Sequence, residues 1–178
     1  LGEARTGTIP KLAFEFLILT AARSGEVFGA RWTEIGFESA TWTIPAARMK
    51  GKKEHRVPLG PRALCILREA EVLSAGSDLI FAGAKAGRPL SNMVFTMILR
   101  RMRMEAQVTA HGFRSTFRDW ASEETSVSNE VCEMALAHIV SNKVEAAYRR
   151  GDLFEKRRKL MLDWEKFAYP MNGLTSKA

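Results

Sequence analysis

Thr41-Trp42-Thr43-Ile44-Pro45-Ala46-Ala47-Arg48-Met49-Lys50-Gly51-Lys52-Lys53-Glu54-His55-Arg56-Val57-Pro58-Leu59 reads as two short strands with a basic loop between them. Thr41 to Ile44 and Arg56 to Leu59 alternate and are rich in residues that suit a pleated, half-buried surface. Ala46 to His55, with its lysines and Gly51, suits an exposed hairpin loop. Most of the chain on either side has helical spacing. The expected fold class is therefore mainly α with a small antiparallel β-sheet (α+β).

Upstream, apolar residues recur at helical spacing from Pro10 to Ala22, with Pro10 suited to a first turn. A second, short helix is expected from Glu26 to Arg31. Downstream, Pro61 opens a helix with Leu64, Leu67 and Val72 on one side, and Gly76 ends it. Asp78 to Phe81 reads as a third short strand and Gly83 to Pro89 as a loop. Ser91 suits the N-cap of a helix from Asn92 to Glu105. Further helices are expected over His111 to Glu124, Ser128 to His138, Asn142 to Arg149 and Leu153 to Phe167.

A chain of 178 residues is the size of one domain and can bury a real core. Its net charge of +7 favours polyanionic partners, because neutralising phosphates releases counterions. The longest apolar stretch, Lys11 to Ala22, is broken by Glu15 and is too short to cross a bilayer. With no signal segment either, a cytoplasmic protein with no membrane partner is expected. The two cysteines, Cys65 and Cys132, read as buried free thiols, and without CxxC or His/Cys spacing no metal is expected. Leu1 in place of Met suggests a piece of a longer chain.

Several polar residues stand out from the apolar pattern. At about 100° per residue, His111, Arg114 and Arg118 share one helix face, apart from a stripe of Phe113, Phe117 and Trp120. Stacked cations repel each other unless something anionic lies opposite; otherwise they form a solvated basic face. Arg23 leaves an apolar helix in Thr20-Ala21-Ala22-Arg23-Ser24-Gly25-Glu26, and a simple clamp on Glu26 would account for it. Lys50 at the hairpin is either solvated or delivered into a cleft as a point donor. His138 lies in Leu136-Ala137-His138-Ile139. Tyr148 lies among small residues in Ala146-Ala147-Tyr148-Arg149, which would present its hydroxyl.

Taken together and in order, Arg23, Lys50, His111, Arg114, His138 and Tyr148 resemble the catalytic set of the tyrosine recombinases, the phage-integrase family. The flanks resemble it too: Trp42-Thr43-Ile44-Pro45, Val57-Pro58-Leu59, Thr109-Ala110-His111-Gly112-Phe113-Arg114 and Leu136-Ala137-His138. Asn142-Lys143-Val144-Glu145-Ala146-Ala147-Tyr148 is most similar to the branch carried by prophages and genomic islands. The likeness spans roughly residues 10 to 165. Arg23 is followed by a single glycine, Gly25, where the family often has a second Gly or Pro in the turn.

The resemblance implies site-specific DNA recombination without metal or cofactor. Tyr148 would attack phosphorus and store the bond energy as a 3′-phosphotyrosine. Arg23 and Arg114 would clamp the non-bridging oxygens. His111 would assist proton transfer from the phenol, Lys50 would protonate the departing 5′ oxygen, and His138 would hydrogen-bond the phosphate. Lys52, Lys53, Arg88, Arg100, Arg101 and Arg103 are expected to contact backbone phosphates of double-stranded DNA. The resemblance further implies that residues 1–178 form a single catalytic domain, with upstream DNA-binding domains missing from this sequence. It implies a homo-oligomer on DNA, tetrameric in the synapse, with accessory DNA-bending proteins. The last helix, with Leu153, Leu160, Trp164 and Phe167, would dock on its own core or reach into a neighbouring protomer. Two rival readings are a catalytically silent DNA-binding module of the same fold and relaxation of the type IB topoisomerase kind.

Overall fold

The computed structural model describes residues 2–74, 76–85, 87–138 and 151–170. The helix expected from Asn142 to Arg149, and Tyr148 with it, lies outside the described residues. The central element is α1 (Gly2–Thr20). Then follow α2 (Ser24–Phe28), β1 (Ile35–Gly36), β2 (Thr41–Ile44), β3 (His55–Pro58), α3 (Pro61–Ser74), α4 (Val94–Arg101), α5 (Gly112–Glu123), α6 (Asn129–Ala135) and α7 (Phe154–Ala168). Short 3-10 turns cover Trp32–Glu34 and Ala46–Arg48.

From Ile9 onward α1 is buried on almost every side, as befits a helix enclosed by its neighbours. Helices α2, α3, α4 and α7 all pack on it. The proline rule predicts a start at Pro10; the helix instead starts at Gly2 and carries Pro10 inside. An interior proline costs about 3 kcal/mol, and burial of Ile9, one residue earlier, offsets part of that. The next helix is Ser24–Phe28, ahead of the predicted Glu26 to Arg31.

The sheet is antiparallel in the order β1-β2-β3, with Trp42 opposite Val57 and Ile44 opposite His55. The predicted hairpin is present, its second strand one residue earlier than expected. The predicted third strand at Asp78 to Phe81 is not formed. Leu79 makes only an isolated bridge to Arg31, and Leu79, Ile80 and Phe81 are buried in succession, without the alternation of a strand. The third strand is Ile35–Gly36. Arg48 fastens the hairpin to α2: its guanidinium meets the Glu34 carboxylate and the Glu26 carbonyl. Gly29 has no side chain where that guanidinium passes.

α3 turns Ala63, Ile66, Leu67 and Ala70 inward, so the predicted face is misplaced. Val72 is exposed, and so is Cys65, which is not the buried thiol expected. Cys132 is buried, and burial raises its thiol pKa. α4 is shorter than its prediction, and Met93 rather than Ser91 holds its N-cap position.

Two apolar clusters result. The larger joins α1, α2, the sheet, α3 and α4. The second gathers Phe117, Trp120, Val131, Cys132, Leu136, Leu160, Met161 and Trp164 from α5, α6 and α7. Here α7 docks on its own chain, its Trp164 Nε1 donating to the Ile18 carbonyl at 2.8 Å. From the same helix, Glu165 reaches the start of α3, accepting from the Arg62 and Ala63 amides at 2.8 and 3.1 Å. A carboxylate at a helix N-terminus satisfies free donors and opposes the helix dipole. Gly60 leaves room for it, since a Cβ there would overlap the carboxylate.

Candidate active site

The site is built where α1, α5 and α6 end or begin. Ala21, with a left-handed backbone (φ 48°), turns the chain out of α1. Arg23 follows in extended conformation as the N-cap of α2. The Glu26 carboxylate, buried in the first turn of α2, accepts from both the Arg23 amide and its Nη1, each at 2.8 Å. The clamp anticipated from sequence exists, and it orients Arg23 rather than removing it from the site.

Arg114 is buried on α5 in line with Phe117 and Ala121. Its Nη1 donates to the carbonyl of Ala21, and its Nη2 donates to the carbonyl of Leu136 at 2.7 Å. No described carboxylate forms an ion pair with it. Burial, and then the nearby charge of Arg23, bring its pKa down to about 10. Its hydrogen bonds to carbonyls leave the cation without an ion-paired carboxylate among the described residues, with only the more distant charge of Glu26 to offset it, in a place where a buried charge calls for a counter-charge.

His138 is delivered by the end of α6. Ala137 is left-handed (φ 49°), its amide donates to the Met134 carbonyl at 3.2 Å, and the His138 amide donates to the Glu133 carbonyl at 2.9 Å. This is the paired closure of a Schellman motif, built on alanine where glycine is usual. It folds His138 back over its own helix. There Nδ1 lies 2.6 Å from Glu133 Oε2, and Nε2 lies 3.4 Å from Arg114 Nη2.

Arg114 Nη2 thus lies 3.4 Å from His138 Nε2, and Arg23 is near enough for its charge to act on Arg114. Such a set can bind an oxyanion and stabilise charge that grows on it. His111 stands exposed at the N-cap position of α5, one turn before Arg114. The phage integrase family description matches residues 3–153 of this chain.

The chain belongs to the phage integrase family.

Among curated relatives, this integrase-family chain is 39% identical over 152 residues to the prophage integrase IntA of Escherichia coli K12, covering 85% of the chain and 37% of that protein. It is 32% identical over 179 residues to the integrase of Enterobacteria phage P4, covering 92% and 41% respectively. It spans less than half the length of these relatives. In fold it is similar to the lambda integrase catalytic core, with TM-score 0.55 and 19% identity over 76% of this chain and 82% of that one. A second solved structure is the XerH recombinase bound to difH, with TM-score 0.60 and 20% identity over 85% of this chain and 45% of that one.

The other predicted residues of the integrase domain lie farther out. Lys50 is exposed in the hairpin turn, where its side chain makes no hydrogen bond or ion pair with another described residue. Lys52 and Lys53 are exposed beside it. Arg88, Arg100, Arg101 and Arg103 are also exposed, and Arg88 and Arg101 line one open groove with Met93 and Met97. Among the described residues no group of His, Cys, Asp and Glu could hold a metal ion, and no helix is long and apolar enough to cross a membrane.

Two residues of the site were not anticipated. Glu133 lies five positions before His138, a spacing that brings side chains together only once the helix cap returns. His55 faces inward on β3, where the charges of Glu26 and Arg114 and the Ala135 carbonyl all act on its ring. Arg118, anticipated on the basic face, is turned aside: its Nε donates to Glu133 at 2.6 Å.

Proposed function

We propose that this chain is the catalytic domain of a tyrosine recombinase, which cuts and rejoins duplex DNA through Tyr148. The observation that carries the reading is Arg114: a buried guanidinium with two carbonyl partners and, among the described residues, no ion-paired carboxylate, beside Arg23 and His138. A scissile phosphate would supply the counter-charge. Solved structures of similar fold support the same reading: XerH is bound to its difH substrate, and a lambda integrase dimer to a core site.

In this reading the Tyr148 phenolic oxygen attacks phosphorus, the bond to the 5′ oxygen breaks, and a 3′-phosphotyrosine forms. The phenol's proton passes toward His111, and Lys50 gives a proton to the departing 5′ oxygen. Arg23, Arg114 and His138 hold the non-bridging oxygens through the pentacoordinate state, where loss of one such donor costs a factor of about 10² to 10³. The guanidiniums supply the charge, and the imidazoles and the Lys50 ammonium handle the protons, so the mechanism calls for no metal or cofactor. Lys52, Lys53, Arg88, Arg100, Arg101 and Arg103 would track DNA phosphates. Upstream domains, a tetrameric synapse and accessory DNA-bending proteins belong to the whole recombinase, which acts in the cytoplasm on the nucleoid.

The test is a nicked suicide duplex, scored for covalent protein–DNA product on a denaturing gel. The parent should give a covalent band, Tyr148→Phe none, and Lys50→Ala a band formed about 10² to 10⁴ times more slowly. A band that persists in Tyr148→Phe would overturn the assignment of the nucleophile. Lys52→Ala should weaken binding while leaving the cleavage rate at saturation unchanged. If the full-length parent binds DNA but forms no covalent product, the silent-module reading takes its place. Relaxation of supercoils without exchange between two sites would favour the topoisomerase reading.

A further inference from the structure

His138 can serve the phosphate only if its ring is turned so that Nε2, not Nδ1, faces Arg114. The backbone brings the residue to the site but leaves the ring free to turn about its side-chain bonds. What holds it is a carboxylate. Glu133 Oε2 lies 2.6 Å from Nδ1, and the other oxygen of Glu133 accepts from Arg118 Nε at 2.6 Å. Arg118 is itself fixed, donating to Ser122 Oγ at 2.8 Å and to Asn129 Oδ1. The carboxylate is therefore held from behind by α5 and the start of α6.

Burial works against an ionised Glu133, but the bonds from Arg118 and His138 outweigh it and hold its pKa below the ordinary value. An ionised carboxylate only accepts hydrogen bonds, so Nδ1 must carry the proton. In the neutral ring that leaves the Nε2 lone pair directed at Arg114, 3.4 Å away. A free imidazole in water prefers the opposite tautomer, with its proton on Nε2. When a phosphate oxygen takes its place between Arg114 and His138, Nε2 must gain a proton from solvent to donate to it. The negative charge on Glu133 supports the resulting cation.

We propose that Glu133 is a positioning residue for His138, and that Arg118–Glu133–His138 forms a chain that aims Nε2 at the phosphate. The proposal rests on the reading of Arg23, Arg114 and His138 as a phosphate site. Among the described residues, the charged groups facing the His138 ring are Glu133 on its own helix and Arg114 from α5, with Arg118 acting through Glu133.

Two measurements test it. Nitrogen-15 spectra of the imidazoles in the full-length protein should show the neutral His138 ring protonated on Nδ1, and Glu133→Gln should shift it toward protonation on Nε2. A parent ring protonated on Nε2 overturns the proposal whatever the activity. In single-turnover cleavage of the suicide duplex, Glu133→Gln should lower the rate on the order of tenfold, with DNA affinity kept. In the His138→Ala background the same change should have no further effect. An equal loss in both backgrounds would show that Glu133 acts through the fold and not through His138. Absence of covalent product from the parent would instead count against the phosphate-site reading, while the spectra still decide the role of Glu133.

Discussion

His55 occupies the inner face of β3, opposite Ile44, where two buried guanidiniums act on it. Burial first, then Arg157 and more weakly Arg114, bring its pKa from 6.5 to about 4. The folded protein thus keeps the ring neutral at pH values where the unfolded chain would protonate it. Between pH 6.5 and 4 the unfolded state binds the extra proton, so stability falls as pH falls across that window. The contribution is up to about 3 kcal/mol, fully present above pH 6.5. Urea unfolding from pH 7 to 4 should show this decline, and His55→Gln should flatten it; an unchanged slope would rule out the ring as its source. Periodicity sets Arg114 apart from the stripe of Phe113, Phe117 and Trp120, whereas it is buried in line with Phe117. The clamp of Arg23 on Glu26 could be read from a spacing of three residues beside a helix start. Glu133 and His55 could not, because their partners are set by a left-handed turn at Ala137 and by strand pairing, neither of which leaves a local pattern.

The clearest lesson among the elements comes from the junction of β3 with α7. Arg157, fully buried, donates to the carbonyls of Arg56 and Asp152 at 2.5 and 2.7 Å and to the Asp152 carboxylate at 2.7 Å. Arg56 grips the same carboxylate from the solvent side at 2.8 Å, and both guanidiniums lie over the Phe154 ring. Asp152 therefore shares its single negative charge between one buried and one exposed cation. Asp152→Ala should destabilise by about 1–3 kcal/mol, because Arg157 keeps only carbonyl partners. Arg56→Ala should cost under about 1 kcal/mol, as an exposed pair does. Comparable losses from the two variants in denaturant unfolding would contradict this ranking. Helix existence was easy to read and helix faces were not. In α3 the apolar residues outnumber the inner positions. Helical spacing groups Val72 with Leu64 and Leu67, and Cys65 is expected buried as a free thiol. Yet the neighbours enclose Ala63, Ile66, Leu67 and Ala70 and leave Val72 and Cys65 exposed. The strand expected at Asp78 to Phe81 failed for a related reason: an apolar run marks burial whether or not a partner strand is there.

At the scale of the molecule, two apolar clusters meet in a seam along α1. Arg114 spans it, since α5 sends Phe113 to Phe14 of the first cluster and Phe117 to Trp164 of the second. Charge raised only the expectation of a polyanionic partner, while the order of the polar residues pointed to the family that the comparison then showed. The seam itself was invisible, because it depends on how seven described helices pack and not on any one of them. Within the second cluster the indoles of Trp120 and Trp164 lie 5.2 Å apart at 53° to each other. Transition dipoles so close and so inclined couple, and they should give a two-signed band in circular dichroism. One indole belongs to the helix that carries Arg114 and the other to the last helix. The band is therefore an optical gauge, needing no label, of whether α7 is seated against α5.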